Sequence, residues 1–221
     1  MKPSDLYGSM TQNVCEMESF MKTIGITGGV GAGKSEILTY LESHYRCRII
    51  MADRVAQQLE EPGEICYKGI VELLGEEILA TDGQIDRAKM AQRIFADRDL
   101  LVRVNQIVHP AVQSYIEACI KQEKAAGKLD FLFIEAALLI ECGYAQILDE
   151  LWYIYASDEV RRVRLKAARG YSDEKIDSIM NGQLSDEKFR GNCHFVIDNS
   201  GSLQDAYRQI DEKLREKRCQ K

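Results

Sequence analysis

Three features are scarce in this sequence of 221 residues: proline, low-complexity segments and long apolar runs. With three prolines, 45% hydrophobic and 29% charged residues, the composition is that of a folded domain and not of a disordered chain. No apolar run approaches the roughly 20 residues of a membrane helix, and the N-terminus has no apolar signal-peptide core. We therefore expect a cytoplasmic protein with no membrane partner.

An excess of positive charge is also missing. The chain has 29 Lys and Arg residues against 35 Asp and Glu residues, which gives a formal net charge of −6. Surfaces that bind nucleic acids or anionic membranes are rich in Lys and Arg, so neither is an expected partner. An anionic ligand must therefore be held by a local site.

Closely spaced cysteine pairs are absent as well. The sequence contains no C-x-x-C pair, and the gaps between its cysteines fit neither a zinc site nor a compact disulfide framework. The thiols are therefore expected to be buried and reduced, as is usual in the cytosol. The seven cysteines stand at positions 15, 47, 66, 119, 142, 193 and 219.

The sequence does contain alternating strand and helix patterns. Continuous apolar character predicts strands that are covered on both faces, at 22–27, 47–52, 131–136, 150–156 and 194–198. Helical patterns separate these strands, which predicts an α/β fold with a mainly parallel five-stranded sheet.

Two long intervals of this pattern hold helices but no convincing strand. They predict a helical lobe at about 54–128 and a shorter helical excursion at about 158–190, both inserted into one core. Residues 1–20 are polar and aperiodic and are predicted to be a flexible N-terminal extension. The remaining residues, 21–221, form a single domain whose core comprises 21–53, 129–157 and 191–221.

The segment "GGVGAGKS" at 28–35 matches the pattern G-x-x-x-x-G-K-[ST], and it follows a predicted strand and precedes a predicted helix. This arrangement predicts a P-loop NTPase-like core with three α/β/α layers. Backbone N–H groups of such a loop surround phosphate oxygens, a lysine contacts the β and γ phosphates, and a serine binds Mg²⁺. The alternative is a glycine-rich turn that binds nothing. The predicted ATP-binding residues are Gly29, Val30, Gly31, Ala32, Gly33, Lys34, Ser35 and Glu36, with Ser35 as the Mg²⁺ ligand.

Asp53 follows the second predicted strand, at the sheet edge where α/β proteins bind ligands. A carboxylate there could take the proton of an acceptor hydroxyl in phosphoryl transfer, or it could cap a helix at 54–60. The guanine-reading N-K-x-D pattern is missing, and "DNSG" at 198–201 comes too late in the chain to be a GTPase switch. A small-molecule kinase remains the best interpretation.

Further motifs give the chain a family resemblance. They are "EPG" after Asp53, "DG-x-I-x-R" at 82–87 followed by Phe95, "HP" at 109–110, "LLIE" at 138–141, "GQLSDEKF" at 182–189 and "VIDNSG" at 196–201. In this order and spacing, over about residues 22–215, the sequence resembles the dephospho-CoA kinase family. The resemblance implies ATP-dependent phosphorylation of the ribose 3′-hydroxyl of dephospho-CoA, with 54–128 as a CoA-binding lobe and 158–190 as a lid.

The resemblance also implies roles for individual residues. Asp53 would take the acceptor's proton, and Asn199 and Gly201 would contact the nucleotide. The acceptor would also meet four residues of the lobe and of the segment after the third strand: Asp82, Arg87, His109 and Leu138. Two of these have ordinary structural alternatives, because "TDG" is a typical turn and a histidine before proline usually has a structural role.

A basic helix and several departures from the family pattern complete the prediction. Arg161, Arg164 and Ala168 share one helix face, from which Arg164, aided by Arg161 or Arg169, is predicted to close over the phosphates. The alternative is a solvated basic face. Met51, Gln57, Glu135, Ala137 and Ala168 depart from the family's usual residues. The changes at Gln57 and Ala168 keep open the alternative of a catalytically impaired nucleotide-binding protein. Another P-loop small-molecule kinase is a second alternative. The oligomeric state is left open.

Overall fold

The computed structural model describes residues 21–218, and within that range five strands form one sheet. The strands are β1 (Lys22–Thr27), β2 (Cys47–Met51), β3 (Phe131–Glu135), β4 (Glu150–Tyr155) and β5 (Phe195–Asp198). They lie in the order β2-β3-β1-β4-β5, and every pairing is parallel. The predicted sheet is therefore confirmed. The predicted extension 1–20 lies outside the described residues.

Helices connect these strands, as right-handed crossovers of a parallel sheet require. Within residues 21–218 they are α1 (Lys34–His44), α2 (Ala52–Leu59), α3 (Tyr67–Leu74), α4 (Arg87–Ala96), α5 (Arg98–Ala126), α6 (Asp158–Arg169), α7 (Asp173–Asn181), α8 (Asp186–Asn192) and α9 (Leu203–Arg218). None of the helices in this part of the chain has the length and apolarity that a membrane crossing would need.

Side-chain caps explain where many of these helices start. Each capping oxygen accepts a hydrogen bond from a backbone N–H of the first turn, which otherwise has no partner inside the helix. The capping residues are Asp86, Asp97, Ser157, Ser172 and Ser185. The last of them starts α8, which the sequence pattern did not predict because its seven residues are too few to show a helical period.

The sheet separates two apolar cores, one on each face. On one face, β1, β3 and β4 pack against α1 and α9 through residues such as Ile37, Phe133 and Trp152. On the other face, β2 and β3 pack against α2, α3 and α5 through residues such as Ile70 and Ile116. Strands covered on both faces explain why the strand sequences are apolar throughout.

Two groups of helices are inserted between strands of the sheet. Helices α2–α5 follow β2 and precede β3, and residues 52–126 contain no strand beyond an isolated bridge between Leu79 and Ile85. Helices α6–α8 lie between β4 and β5. Because all five strands run parallel, both groups of helices begin at the carboxyl edge of the sheet, where the glycine loop also lies.

Candidate active site

The glycine loop joins β1 to α1 and adopts a backbone that glycine favours. Gly31 and Gly33 have φ angles of +83° and +87°, in the left-handed region. A Cβ atom on Gly33 would also lie only 2.4 Å from the Nδ2 atom of Asn199. Gly33 therefore serves both the turn and the close approach of a neighbouring segment, at the N-terminus of α1, where helices attract anions.

Lys34 is the first residue of α1, and its amino group is directed back into the loop. The Nζ atom donates a 2.8 Å hydrogen bond to the carbonyl of Gly28 and lies 3.8 Å from the carboxylate of Glu135 at the end of β3. Burial lowers the pKa of Lys34, while the charges of Glu135 and Asp53 oppose that change. Burial likewise raises the pKa of Glu135, and Asp53 raises it further. One amino group and two carboxylates thus share one polar cluster.

Two arginines of α6 reach the same loop. Arg164 donates to the carbonyls of Ala32 and Asn199 at 3.3 and 2.9 Å, and Arg161 donates from its Nε atom to the carbonyl of Val30 at 2.9 Å. The alternative of a solvated basic face therefore does not describe these two side chains. Arg169 is exposed, and its contact is with Tyr171, 3.5 Å from the hydroxyl.

The other residues predicted for the nucleotide differ in exposure. Ser35 and Glu36 are exposed in the first turn of α1, and Gly201 is exposed after β5. Asn199 is fully buried and donates from its side chain to the carbonyl of Ala32 at 2.8 Å. In residues 21–218 no group of three or more Asp, Glu, His or Cys side chains is placed to hold a metal. A Mg²⁺ site built from one or two carboxylates, a hydroxyl and substrate phosphates needs no such group.

A cavity of about 250 Å³ lies beside this cluster and is mainly apolar. Its polar lining includes Asp53, Glu60, Asn105 and His109, and its apolar wall includes Met90, Val108 and Leu138. Asp53 lies inside the first turn of α2, which begins at Ala52 without a side-chain cap. The interpretation of Asp53 as the cap of a helix at 54–60 is therefore wrong, because the helix starts before it.

Two other predicted acceptor residues stand apart from the cavity wall. Arg87 forms an ion pair with the buried carboxylate of Glu60 and donates to the carbonyl of Gln57 at 3.5 Å.

Asp82 is exposed, and its carboxylate accepts a hydrogen bond from the amide of Gln84 at 3.0 Å, next to Gly83 with φ +81°. Asp82 thus makes the contact of an ordinary Asp-Gly turn. His109 lies 3.5 Å from the thiol of Cys142 on the cavity wall.

The sequence model of the dephospho-CoA kinase family matches residues 22–205. The chain belongs to the dephospho-CoA kinase family. A dephospho-CoA kinase of Carboxydothermus hydrogenoformans is 35% identical over 187 residues, which cover 85% of this chain and 90% of that protein. The crystal structure of TT1252 from Thermus thermophilus is 28% identical, with a TM-score of 0.73 and coverage of 89% and 97%. A dephospho-CoA kinase from Campylobacter jejuni, 20% identical with a TM-score of 0.66 over 88% and 96%, shares the fold.

For this dephospho-CoA kinase family member, the prediction from the motifs is thus confirmed at the level of the family. The roles of single residues stay predictions. The polar side chains near the site that sequence reasoning did not propose include Glu60 and Asn105 on the cavity wall, Glu135 beside Lys34, and Gln183, which contacts the glycine loop. Signals existed for Glu135, as an acidic residue that ends an otherwise apolar strand, and for Gln183, which lies in the motif at 182–189.

Proposed function

We propose that this chain transfers the γ-phosphoryl group of ATP to the ribose 3′-hydroxyl of dephospho-CoA, which gives coenzyme A and ADP. The observation that carries the proposal is the position of Asp53, which lines the cavity and also interacts electrostatically with Lys34 of the glycine loop. A phosphate donor and a hydroxyl acceptor would thus meet at one carboxylate. Family membership selects dephospho-CoA among the possible acceptors.

The nucleotide side of this mechanism uses groups that are already directed at the loop. The N–H groups of residues 29–36 would surround the β and γ phosphates, and Lys34 would exchange its bond with the Gly28 carbonyl for a phosphate oxygen. Arg164, held against Ala32 and Asn199, would neutralise charge that develops on the transferred group. Arg161 would contribute a second guanidinium from the same helix face, next to Val30. Asn199 and Gly201 would contact the rest of the nucleotide.

The residues around the loop also fit Mg²⁺, which prefers oxygen ligands. The Ser35 hydroxyl is exposed at the start of α1, and the carboxylates of Glu135 and Asp53 are near Lys34. We propose Ser35 as a protein ligand, with Glu135 or Asp53 supporting the site. When bound, Mg²⁺ supplies positive charge that neutralises the phosphate oxygens.

The acceptor side would work through proton removal and exclusion of water. Asp53 would accept the proton of the 3′-hydroxyl while that oxygen forms a bond to the γ phosphorus and the bond to the ADP oxygen breaks. The mainly apolar wall, including Leu138, would bind the acceptor and exclude water that could otherwise be phosphorylated. His109 would contact the acceptor from α5, Arg87 from its ion pair with Glu60, and Asp82 from the turn that precedes α4.

The proposal is tested by mass spectrometry of a reaction that contains the full chain, Mg²⁺, ATP and dephospho-CoA. We expect one phosphate to be added to dephospho-CoA, at the ribose 3′-oxygen, together with release of ADP. Adenosine and a nucleoside monophosphate are offered in parallel reactions. Faster transfer to either of them would favour another P-loop kinase activity. ATP binding without phosphorylation of any acceptor would instead favour the catalytically impaired alternative.

A further inference from the structure

The backbone of Val30, in the middle of the glycine loop, is held on both its N–H and its carbonyl by the α6–α8 segment. Its carbonyl accepts a 2.9 Å hydrogen bond from the Nε atom of Arg161, and its N–H donates to the side-chain oxygen of Gln183 at 3.3 Å. The same Gln183 oxygen accepts from the Nη2 atom of Arg161 at 2.5 Å. Three groups thus form a closed ring of hydrogen bonds, which we call the Val30 clasp.

The chemistry of the clasp requires an acceptor at position 183. Both partners of the Gln183 oxygen are N–H donors, so the amide oxygen, and not the amide nitrogen, must face them. Arg161 is nearly buried, with 12% of its side chain exposed, whereas the carboxylate of Asp158, 3.6 Å from its guanidinium, belongs to a side chain that is 71% exposed. A guanidinium at that depth needs acceptors, and Val30 and Gln183 supply the short contacts.

The clasp joins parts of the chain that are far apart in sequence. Gln183 lies in the connection between α7 and α8, 22 residues after Arg161, while Val30 belongs to the loop after β1. The contacts that hold α6 to α7 are separate. Arg162 pairs there with Asp177 and Asp173, and Lys166 pairs with Asp173. The segment can therefore keep its internal structure without the clasp.

We propose that Gln183 is a positioning residue, which orients Arg161 and the Val30 peptide for binding of the nucleotide's phosphates. This inference rests on the proposed ATP-binding role of the loop. Without the Gln183 oxygen, Arg161 loses an acceptor and the Val30 N–H loses its partner, so the loop and the guanidinium would adopt several arrangements. Binding of ATP would then have to select one of them, which weakens its affinity.

The test is calorimetric titration of the full chain with ATP in the presence of Mg²⁺. Gln183→Met keeps the length of the side chain and removes the acceptor. We expect it to raise the Kd for ATP by at least about 10-fold, as loss of a hydrogen bond to a charged group would. Gln183→Ser serves as a second variant, and thermal denaturation shows whether each variant is folded. A Kd within about twofold of the unmodified protein in a folded variant would refute the proposal.

A double-mutant cycle with Arg161→Met separates a positioning role from an independent contact. If Gln183 acts through Arg161, adding Gln183→Met to Arg161→Met raises the Kd by much less than Gln183→Met does alone. Effects that multiply in full would overturn the proposal. The matched control is Arg162→Met, which removes ion pairs inside the same segment and should leave the Kd unchanged. Since the readout is ATP binding, failure to phosphorylate dephospho-CoA would affect the proposed function and not this test.

Discussion

The two ends of the candidate site are built in different ways, and we name them after their proposed roles: the nucleotide end is the glycine loop, and the acceptor end is the cavity. At the nucleotide end, consecutive residues of one loop are surrounded by cationic side chains, and Arg161, Arg164 and Lys34 all donate to loop carbonyls. At the acceptor end, a mainly apolar cavity is assembled from segments that lie far apart in the chain, from α2 to the residues after β3. Asp53 lies where the two ends meet.

This difference teaches which interactions each end depends on. A loop whose own carbonyls are hydrogen-bonded by cations already has its backbone arranged before an anion arrives, so electrostatics dominates there. A cavity formed by Met90, Val108 and Leu138 depends instead on shape and on the removal of apolar surface from water. Substitutions at the two ends should therefore change different measured quantities.

The largest effect is expected for Lys34→Ala at the nucleotide end. The substitution removes the amino group that lies beside Gly28 and Glu135, and with it the charge that is proposed to contact the phosphates. We expect kcat/KM for ATP to fall by about 10³-fold or more. Steady-state measurement of ADP release checks this. Lys68→Ala, at an 86% exposed lysine of α3, is the control, and an equal loss there would contradict the assignment.

Asp53→Asn should have the next largest effect. It should lower the rate of phosphoryl transfer while leaving the affinity for ATP nearly unchanged. Asparagine keeps the size of the side chain but cannot accept the acceptor's proton, so we expect kcat to fall by about 10²–10⁴-fold. The Kd for ATP should stay within a few-fold of its original value. Asp86→Asn is a matched control, because Asp86 caps α4 and asparagine caps helices equally well. Unchanged turnover in Asp53→Asn would remove Asp53 from the catalytic role.

More of the nucleotide end than of the acceptor end could be predicted from the sequence. The glycine loop could be located because its motif is contiguous and its flanking strand and helix are strongly patterned. The start of α2 was misplaced because Asp53 is a favoured cap, while the structure starts that helix at Ala52 with no side-chain cap. Burial of Glu60 could not be predicted at all, because glutamate is rarely buried and its partner Arg87 comes from another helix.

Arg87→Gln, at the acceptor end, should lower the free energy of unfolding. It leaves the carboxylate of Glu60 buried without its cation, which costs about 1–3 kcal/mol of unfolding free energy. Burial already raises the pKa of Glu60, and Arg87 opposes that shift. A raised pKa favours the protonated carboxyl in the folded state, so stability is lost as the pH rises through that pKa. The variant should therefore be more destabilised at pH 8 than at pH 5.

Denaturant unfolding at the two pH values checks this expectation. The control is the double variant Glu60→Gln with Arg87→Gln, which replaces both charges. Removing both partners leaves no stranded carboxylate, so most of the loss and all of its pH dependence should disappear. A single variant whose destabilisation is the same at both pH values would show that Glu60 does not depend on Arg87.

The smallest expected effect concerns the rate of cysteine alkylation, which can report on ligand binding in the cavity. Burial raises the pKa of Cys47 and of Cys193 to about 11. At pH 8 only about one thiol in a thousand is then ionised, so both should react slowly with or without ligands. Cys142 also has a pKa raised by burial, but it lines the acceptor cavity. Dephospho-CoA should therefore slow its alkylation severalfold.

Peptide mapping by mass spectrometry after timed alkylation separates the three thiols, and ATP is the informative control. If the apolar cavity and the glycine loop bind different ligands, ATP alone should leave the alkylation rate of Cys142 unchanged, because the thiol lines the cavity and not the glycine loop. Protection of Cys142 by ATP and not by dephospho-CoA would reverse the assignment of the two ends. Cys47, which packs against the α1 side of the sheet, should react at the same slow rate in every sample.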